Sequence, residues 1–273
     1  MISWPRELFK KYFFDHASFQ KKVSGAFSNF YHEIESSHAF SQFCLDIHGR
    51  RVPQFNLMDH VQWEAFLGQA DLIPFKEGDS YLDLGCGLGY LTEEVASRYG
   101  LRALGYDFSS KAIQLARDRC RLNKSLVTFE EHNFHHLKAH KTFKLITSFD
   151  GLYGIKKWPE MIEVLLELLD PGGSALIFQS CVVKGPLEKG PLFESLKGSG
   201  LGVSWRFWEF TERERLFYEQ SKKVLARYRP IFEREGLHRV VSIKEKECEK
   251  GLFWHQKKLS KRYFVTLTKN KLT

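Results

Sequence analysis

The spacing of apolar residues changes character twice along the chain. Over residues 1–75, aromatic and polar residues intermix and β-branched runs are few. There Glu7–Phe14, Phe19–Ile34 and Asp59–Leu72 carry the spacing of short helices. From residue 80, short apolar runs at Tyr81–Leu84, Arg102–Tyr106, Val127–Glu130, Lys144–Phe149 and Ser174–Ser180 read as strands. Helical stretches separate them. One runs from the glycine turn after Leu84 to about Arg98 and is stopped by Gly100, and one runs from Ser109, a suitable N-cap, to about Cys120. A third starts at Pro159 and places Met161, Val164, Leu165 and Leu168 on one face before Asp170-Pro171-Gly172-Gly173. This alternation predicts a doubly wound parallel sheet with helices on both faces.

Beyond residue 183 the pattern changes again. Lys184–Gly202 is rich in glycine and proline and reads as an inserted loop. Thr211-Glu212-Arg213-Glu214 fits a capping box that opens a long helix. Its apolar face is Phe217, Val224, Leu225, Tyr228, Ile231 and Phe232, with Pro230 as a kink and Gly236 as its end. Leu237–Ile243 and Arg262–Thr268 read as two closing strands, antiparallel because no helical pattern separates them. The expected organisation is a helical lid segment over 1–75 and a domain over 76–273 with an insertion around 184–235.

Length and composition narrow the function classes. A chain of 273 residues, 43% hydrophobic and 27% charged, is neither disordered, collagen-like nor a coiled coil. No apolar run approaches the roughly 20 residues of a membrane span. Met1–Phe14 lacks an apolar core and a small-residue cleavage site, so no secretory signal is expected. Five cysteines without a CxxC pair argue against a disulfide framework or a zinc site and for a reducing, cytoplasmic setting. The net charge of +8 invites an anionic partner. Most of it is local: residues 244–273 hold nine basic and three acidic side chains.

The chemistry centres on Asp83-Leu84-Gly85-Cys86-Gly87-Leu88-Gly89, where the first strand turns into the first helix. In an open parallel sheet, ligands bind beyond the carboxyl ends of the strands. Asp107 follows at the end of the second strand, where a carboxylate accepts ribose hydroxyls. A dinucleotide fingerprint, GxGxxG, would place its third glycine at Tyr90. The observed GxGxG, with an acid two residues ahead, repels a pyrophosphate and suits a cationic ligand such as S-adenosylmethionine (SAM).

With Gly105-Tyr106-Asp107-Phe108-Ser109, Ser148-Phe149-Asp150-Gly151-Leu152-Tyr153 and Leu168-Leu169-Asp170-Pro171-Gly172-Gly173 in order behind the glycine turn, the chain resembles the class I SAM-dependent methyltransferases. The resemblance covers about residues 76–181 and implies a Rossmann-like sheet of seven strands whose last strand is antiparallel. It implies SAM as cofactor and a cofactor set of Asp83, Gly85, Cys86, Gly87, Gly89, Asp107, Phe108, Asn133 and Phe134. In it the glycines line the methionine and ribose part, Asp107 holds the ribose hydroxyls and Phe108 packs on adenine. Asn133 stands where the family often has Asp. Gly154 stands where many small-molecule members carry His, so that base is missing.

Methyl transfer from SAM is an in-line displacement that positioning and dehydration largely drive. Asp150, Tyr153 and His60 are the catalytic candidates, each more apt to position than to act as a base. The Asn/Asp-Pro-Pro-aromatic motif of exocyclic-amine enzymes and the Pro-Cys pair of cytosine enzymes are absent from the sequence. The first expectation is a small-molecule acceptor. The second is an RNA or protein acceptor docked on the basic C-terminal segment; separately, Phe253, Trp254, His255, Lys257 and Lys258, on the connection Glu249–Lys261 between the last two strands, are expected to rim the acceptor pocket. The third is a binding subunit without turnover. Cys86 is read as a filler, and His132, His135, His136 and His140 as loop residues without a metal.

Overall fold

The computed structural model describes residues 29–50, 53–120, 126–134, 137, 141–152, 155–198 and 202–270. The helix expected over Glu7–Phe14, most of that over Phe19–Ile34, and Tyr153 lie outside the described residues; residues 29–35 are helical.

Seven strands form one sheet: β1 (Ser80–Leu84), β2 (Arg102–Asp107), β3 (Val127–Glu131), β4 (Phe143–Phe149), β5 (Leu169–Val182), β6 (Val203–Glu209) and β7 (Ser260–Lys269). Their order is β3-β2-β1-β4-β5-β7-β6. The first five run parallel, while β7 lies antiparallel between β5 and β6. The topological switch falls at β1, so the turns after β1 and β4 face one crevice.

The helices are α1 (His38–His48), α2 (His60–Ala70), α3 (Tyr90–Tyr99), α4 (Ser110–Arg119), α5 (Trp158–Leu168), α6 (Pro191–Gly198), α7 (Thr211–Arg234) and α8 (His238–Gln256). Because strand side chains alternate between faces, Leu82, Leu84, Ile146 and Ile177 pack against α5 and α6. Tyr81, Ala103, Leu145, Phe178 and Phe264 face α2, α3 and α4. A third core joins α1 and residues 53–58 to α7 and α8 through Phe40, Phe43, Cys44, Phe217, Val224, Phe232 and Val241. Asp59 pairs with Arg213 and Asp46 with Arg227 across the same contact. Residues 30–59 and the 211–256 helices therefore make one layer.

Three expectations for the last third fail. Leu237–Ile243 is not a strand but the start of α8, whose buried Val240, Val241, Lys244, Cys248 and Gly251 follow a helical spacing. Gly251 is there because a Cβ would stand 2.2 Å from the ring of Tyr218. The connection before β7 is thus the end of that helix and a short turn, not a long basic loop. The strand beside β7 is β6, whose alternating Val203, Trp205 and Phe207 carry the period-two signal. The stretch read as a loop over Lys184–Gly202 contains α6.

The capping box also fails to form. Phe210 is the N-cap of α7, with no side-chain cap. Thr211 Oγ1 accepts from the Arg262 N–H, and Glu214 is drawn inward onto Ser180 and Ser260. Pro230 is contained within an unbroken 24-residue helix.

Candidate active site

The glycine turn is pinned to the neighbouring strand. Gly85 and Cys86 donate their N–H groups to the Tyr106 carbonyl at 2.8 and 3.0 Å. Gly87 donates to Asp107 Oδ2 at 3.0 Å, and Ser109 donates to Asp107 Oδ1 at 2.9 Å. The carboxylate is thus oriented by the turn on one side and by the N-cap of α4 on the other.

The three glycines serve different purposes. A Cβ on Gly85 would stand 2.5 Å from Gly151 Cα, so the turns after β1 and β4 touch backbone to backbone. A Cβ on Gly89 would meet the Phe129 ring at 2.4 Å, which makes it the glycine for close helix–sheet packing. Only at Gly87 is the nearest neighbour a flexible group, the Tyr31 hydroxyl at 3.0 Å. Gly87 faces the Tyr31 side chain of residues 29–35.

Asp83 and Asp107 are both almost wholly buried. Burial pushes each carboxyl up to about 6. Thr92 and Thr147 donate to Asp83 at 2.6 and 2.8 Å, tying α3 and β4 to β1. Asp83 thus braces the turn from within rather than opening onto the crevice. Cys86 packs against Gly105, and burial with Asp107 and Asp83 nearby raises its thiol well above the ordinary value, which suits a filler and not a nucleophile. Phe108 and Asn133 are half-buried at the ends of β2 and β3. Phe134 lies in the core with Leu82 and Leu104. His132 stacks on Tyr106 at 4.5 Å. The other three loop histidines lie outside the described residues.

The second half of the site is a polar cluster that sequence reasoning missed. Asp150 ends β4 with φ +62°. Arg262, fully buried on β7, clamps it: Nη1 donates to Oδ1 at 2.7 Å and Nη2 to Oδ2 at 3.0 Å. The Leu57 N–H donates to the same Oδ2 at 2.9 Å. Arg262 Nε donates to Gln62 Oε1, and Nη1 also reaches Ser180 at 3.1 Å. Ser180 and Ser260 donate to Glu214, and His255 Nε2 lies 2.9 Å from it. Burial pushes the Glu214 carboxyl up, but His255, Arg262 and the two serines outweigh it and hold the group below its ordinary value. The signal for this cluster was an arginine inside an apolar strand, since a buried guanidinium demands a carboxylate. Asp150 is consequently held by a permanent cation and by the Leu57 N–H. His60 is exposed at the start of α2, with its Cβ beside Gly49.

Residues 75–203 match the profile of a methyltransferase domain. This stretch is similar to the class I methyltransferases. The chain is 30% identical over 133 residues to phosphoethanolamine N-methyltransferase 1 of Triticum aestivum, a match covering 48% of this chain and 27% of the relative. It is 29% identical over 133 residues to a 2-phytyl-1,4-naphtoquinone methyltransferase of Thermosynechococcus vestitus, covering 48% and 58%. The chain thus spans about a quarter of the length of the first relative and little over half of the second. In three dimensions it resembles the phosphoethanolamine N-methyltransferase 2 of Haemonchus contortus, solved with phosphomonomethylethanolamine and S-adenosylhomocysteine. That likeness has a TM-score of 0.69 at 18% identity and covers 90% of this chain and 60% of the other. It establishes the fold, with β7 antiparallel as the sequence led us to expect.

Proposed function

We propose that this chain is a SAM-dependent methyltransferase acting on a small-molecule acceptor. The observation that carries the reading is the Asp107 carboxylate, held by the Gly87 and Ser109 N–H groups at the tip of β2. Each of its oxygens retains a lone pair for a ribose hydroxyl. The donor set fits the cofactor: an acid for the ribose, the half-buried Phe108 for adenine, Asn133 for the adenine amine, and a turn at Gly87 without a side chain. SAM, when bound, supplies a methyl group on a sulfonium ready for displacement. The chain's part is to orient the two reactants and exclude water. Asp150 and Arg262 do this by setting the turn after β4, and the α1–α7–α8 layer closes over it.

A macromolecular acceptor is the second reading. It rests on the end of α8, where Phe253 is exposed with Lys257 Nζ 5.7 Å from its ring. Among the described residues no helix is long and apolar enough to cross a membrane. The unpaired cysteines suit a reducing compartment, which we take to be the cytosol.

The test is calorimetry of the purified chain with SAM and with NADH, and mass spectrometry of any ligand it releases. SAM binding at micromolar affinity without NADH binding is expected. NADH binding, or no affinity for SAM, would overturn the reading. RNA binding with a steep salt dependence would move the acceptor to the second class.

A further inference from the structure

The core beneath the helical layer is largely aromatic, yet it contains polar atoms that the fold leaves without partners. His48 is fully buried on α1 and its Nδ1 lies 2.9 Å from the Met58 carbonyl. A carbonyl only accepts, so Nδ1 carries the proton and Nε2 presents a bare lone pair. Burial, with Lys244 nearby, drives the ring's pKa down to about 3, so it stays neutral. Among the described residues, His48 Nε2, both ends of the Gln54 carboxamide and the Ser221 hydroxyl are buried with no hydrogen-bond partner. Each such group costs about 1–3 kcal/mol unless something pairs with it.

These groups lie on α1, residues 53–58 and α7, which pack together in the third core. Cys44, one turn before His48, lies 4.0 Å from the Gln54 carbonyl. Phe217 packs on the His48 ring at 5.1 Å, and Ser221 follows Phe217 by one turn of α7. Lys244 Nζ sits 4.4 Å from the ring of Phe55, next to Gln54. The region adjoins the site just described. Phe55 packs on Phe30 at 4.6 Å, the neighbouring Tyr31 hangs over Gly87, and Leu57 donates to Asp150.

The cations around it each have a carboxylate partner. Lys244 is paired with Glu247, Arg262 with Asp150, Arg213 with Asp59 and Arg50 with Glu94. A phosphate entering here would have to take one of these cations from its carboxylate. The unpartnered atoms are neutral: one acceptor, and two groups that both donate and accept.

Building on the methyltransferase reading, we propose that His48 Nε2, the Gln54 carboxamide and the Ser221 hydroxyl form the subsite for the acceptor's polar group. The acceptor is an uncharged, largely apolar molecule carrying a hydroxyl or similar neutral hydrogen-bonding group. The aromatic rings of Phe55, Phe217 and Tyr218 receive its apolar body.

The experiment uses the full chain saturated with S-adenosylhomocysteine, titrated with a decyl-substituted hydroquinone and, separately, with phosphoethanolamine. Affinity for S-adenosylhomocysteine alone is measured first, so that failure of the methyltransferase reading is seen separately. Hydroquinone binding with at least tenfold preference over phosphoethanolamine is expected. Gln54→Met and Ser221→Ala should each weaken hydroquinone at least tenfold and leave S-adenosylhomocysteine affinity intact. They should also leave the melting temperature of the free protein unchanged or higher, because each removes an unpaired buried polar group. A preference for phosphoethanolamine, no binding of either probe by a chain that takes S-adenosylhomocysteine, or a lower melting temperature with unchanged hydroquinone affinity would overturn the proposal.

Discussion

Asp107→Ala separates a cofactor role from a structural one. In the wild type the carboxylate serves two backbone N–H groups at 2.9 and 3.0 Å and is 3% exposed. If it also accepts the ribose hydroxyls, its loss removes charge-assisted bonds with a combined value of about 1.5–3 kcal/mol. That corresponds to a SAM affinity roughly 10–150 times weaker. Calorimetry at pH 7.5 measures this, with thermal melting to confirm a folded variant. The pH dependence gives a second, opposite-signed readout. Asp107 titrates near 6 in the fold, above its ordinary value, because burial disfavours the charge. Between about pH 4 and 6 the native state then binds more protons than the unfolded one, so this group's contribution to stability rises as pH falls. The shift corresponds to about 3 kcal/mol at order of magnitude. SAM needs the ionised form, so its affinity falls as pH drops through about 6. Asp107→Asn should flatten the binding profile. Unchanged SAM affinity in Asp107→Ala would refute the ribose assignment.

Further expectations concern the turn, the clamp and the basic helix end. Gly89→Ala forces a methyl into Phe129 and should destabilise the fold by about 1–3 kcal/mol in urea unfolding. Gly87→Ala meets only the Tyr31 hydroxyl and should cost less stability, but it should abolish detectable SAM binding. Arg262→Met leaves the Asp150 and Glu214 charges uncompensated and should cost about 3–5 kcal/mol, with part recovered in the double variant Arg262→Met/Asp150→Leu. Lys257→Glu with Lys258→Glu should leave kinetics on an uncharged acceptor unchanged, whereas loss of turnover would favour an anionic acceptor.

The glycine turn and the acid beside it were legible in the sequence because they are local. Asp83 to Gly89 and Gly105 to Ser109 are each a strand end and its turn, and the parallel sheet brings any two such turns together. The polar cluster was not legible because its members come from β4, β5, β7, α2, α7 and α8. Ser180 and Ser260 lie 80 residues apart and meet at Glu214 only because β7 returns antiparallel to β5. Glu214 had a local reading as a cap, and a buried partner network outcompeted it. Likewise, the two adjacent valines of Leu237–Ile243 suggested a strand, while the helical face they share with Lys244, Cys248 and Gly251 is defined only against Tyr218 and α7.

By itself, then, the sequence determined the alternation of strands and helices, the glycine turn and the acid at the tip of β2, since hydrophobic period and turn chemistry act over a few residues. Tertiary structure alone decided which of the three glycines abuts a side chain rather than backbone or a core ring, that Asp150 is clamped by Arg262, and that residues 53–58 lie beside an aromatic core with unpartnered polar atoms. Those outcomes depend on burial, and burial depends on which distant segments pack together.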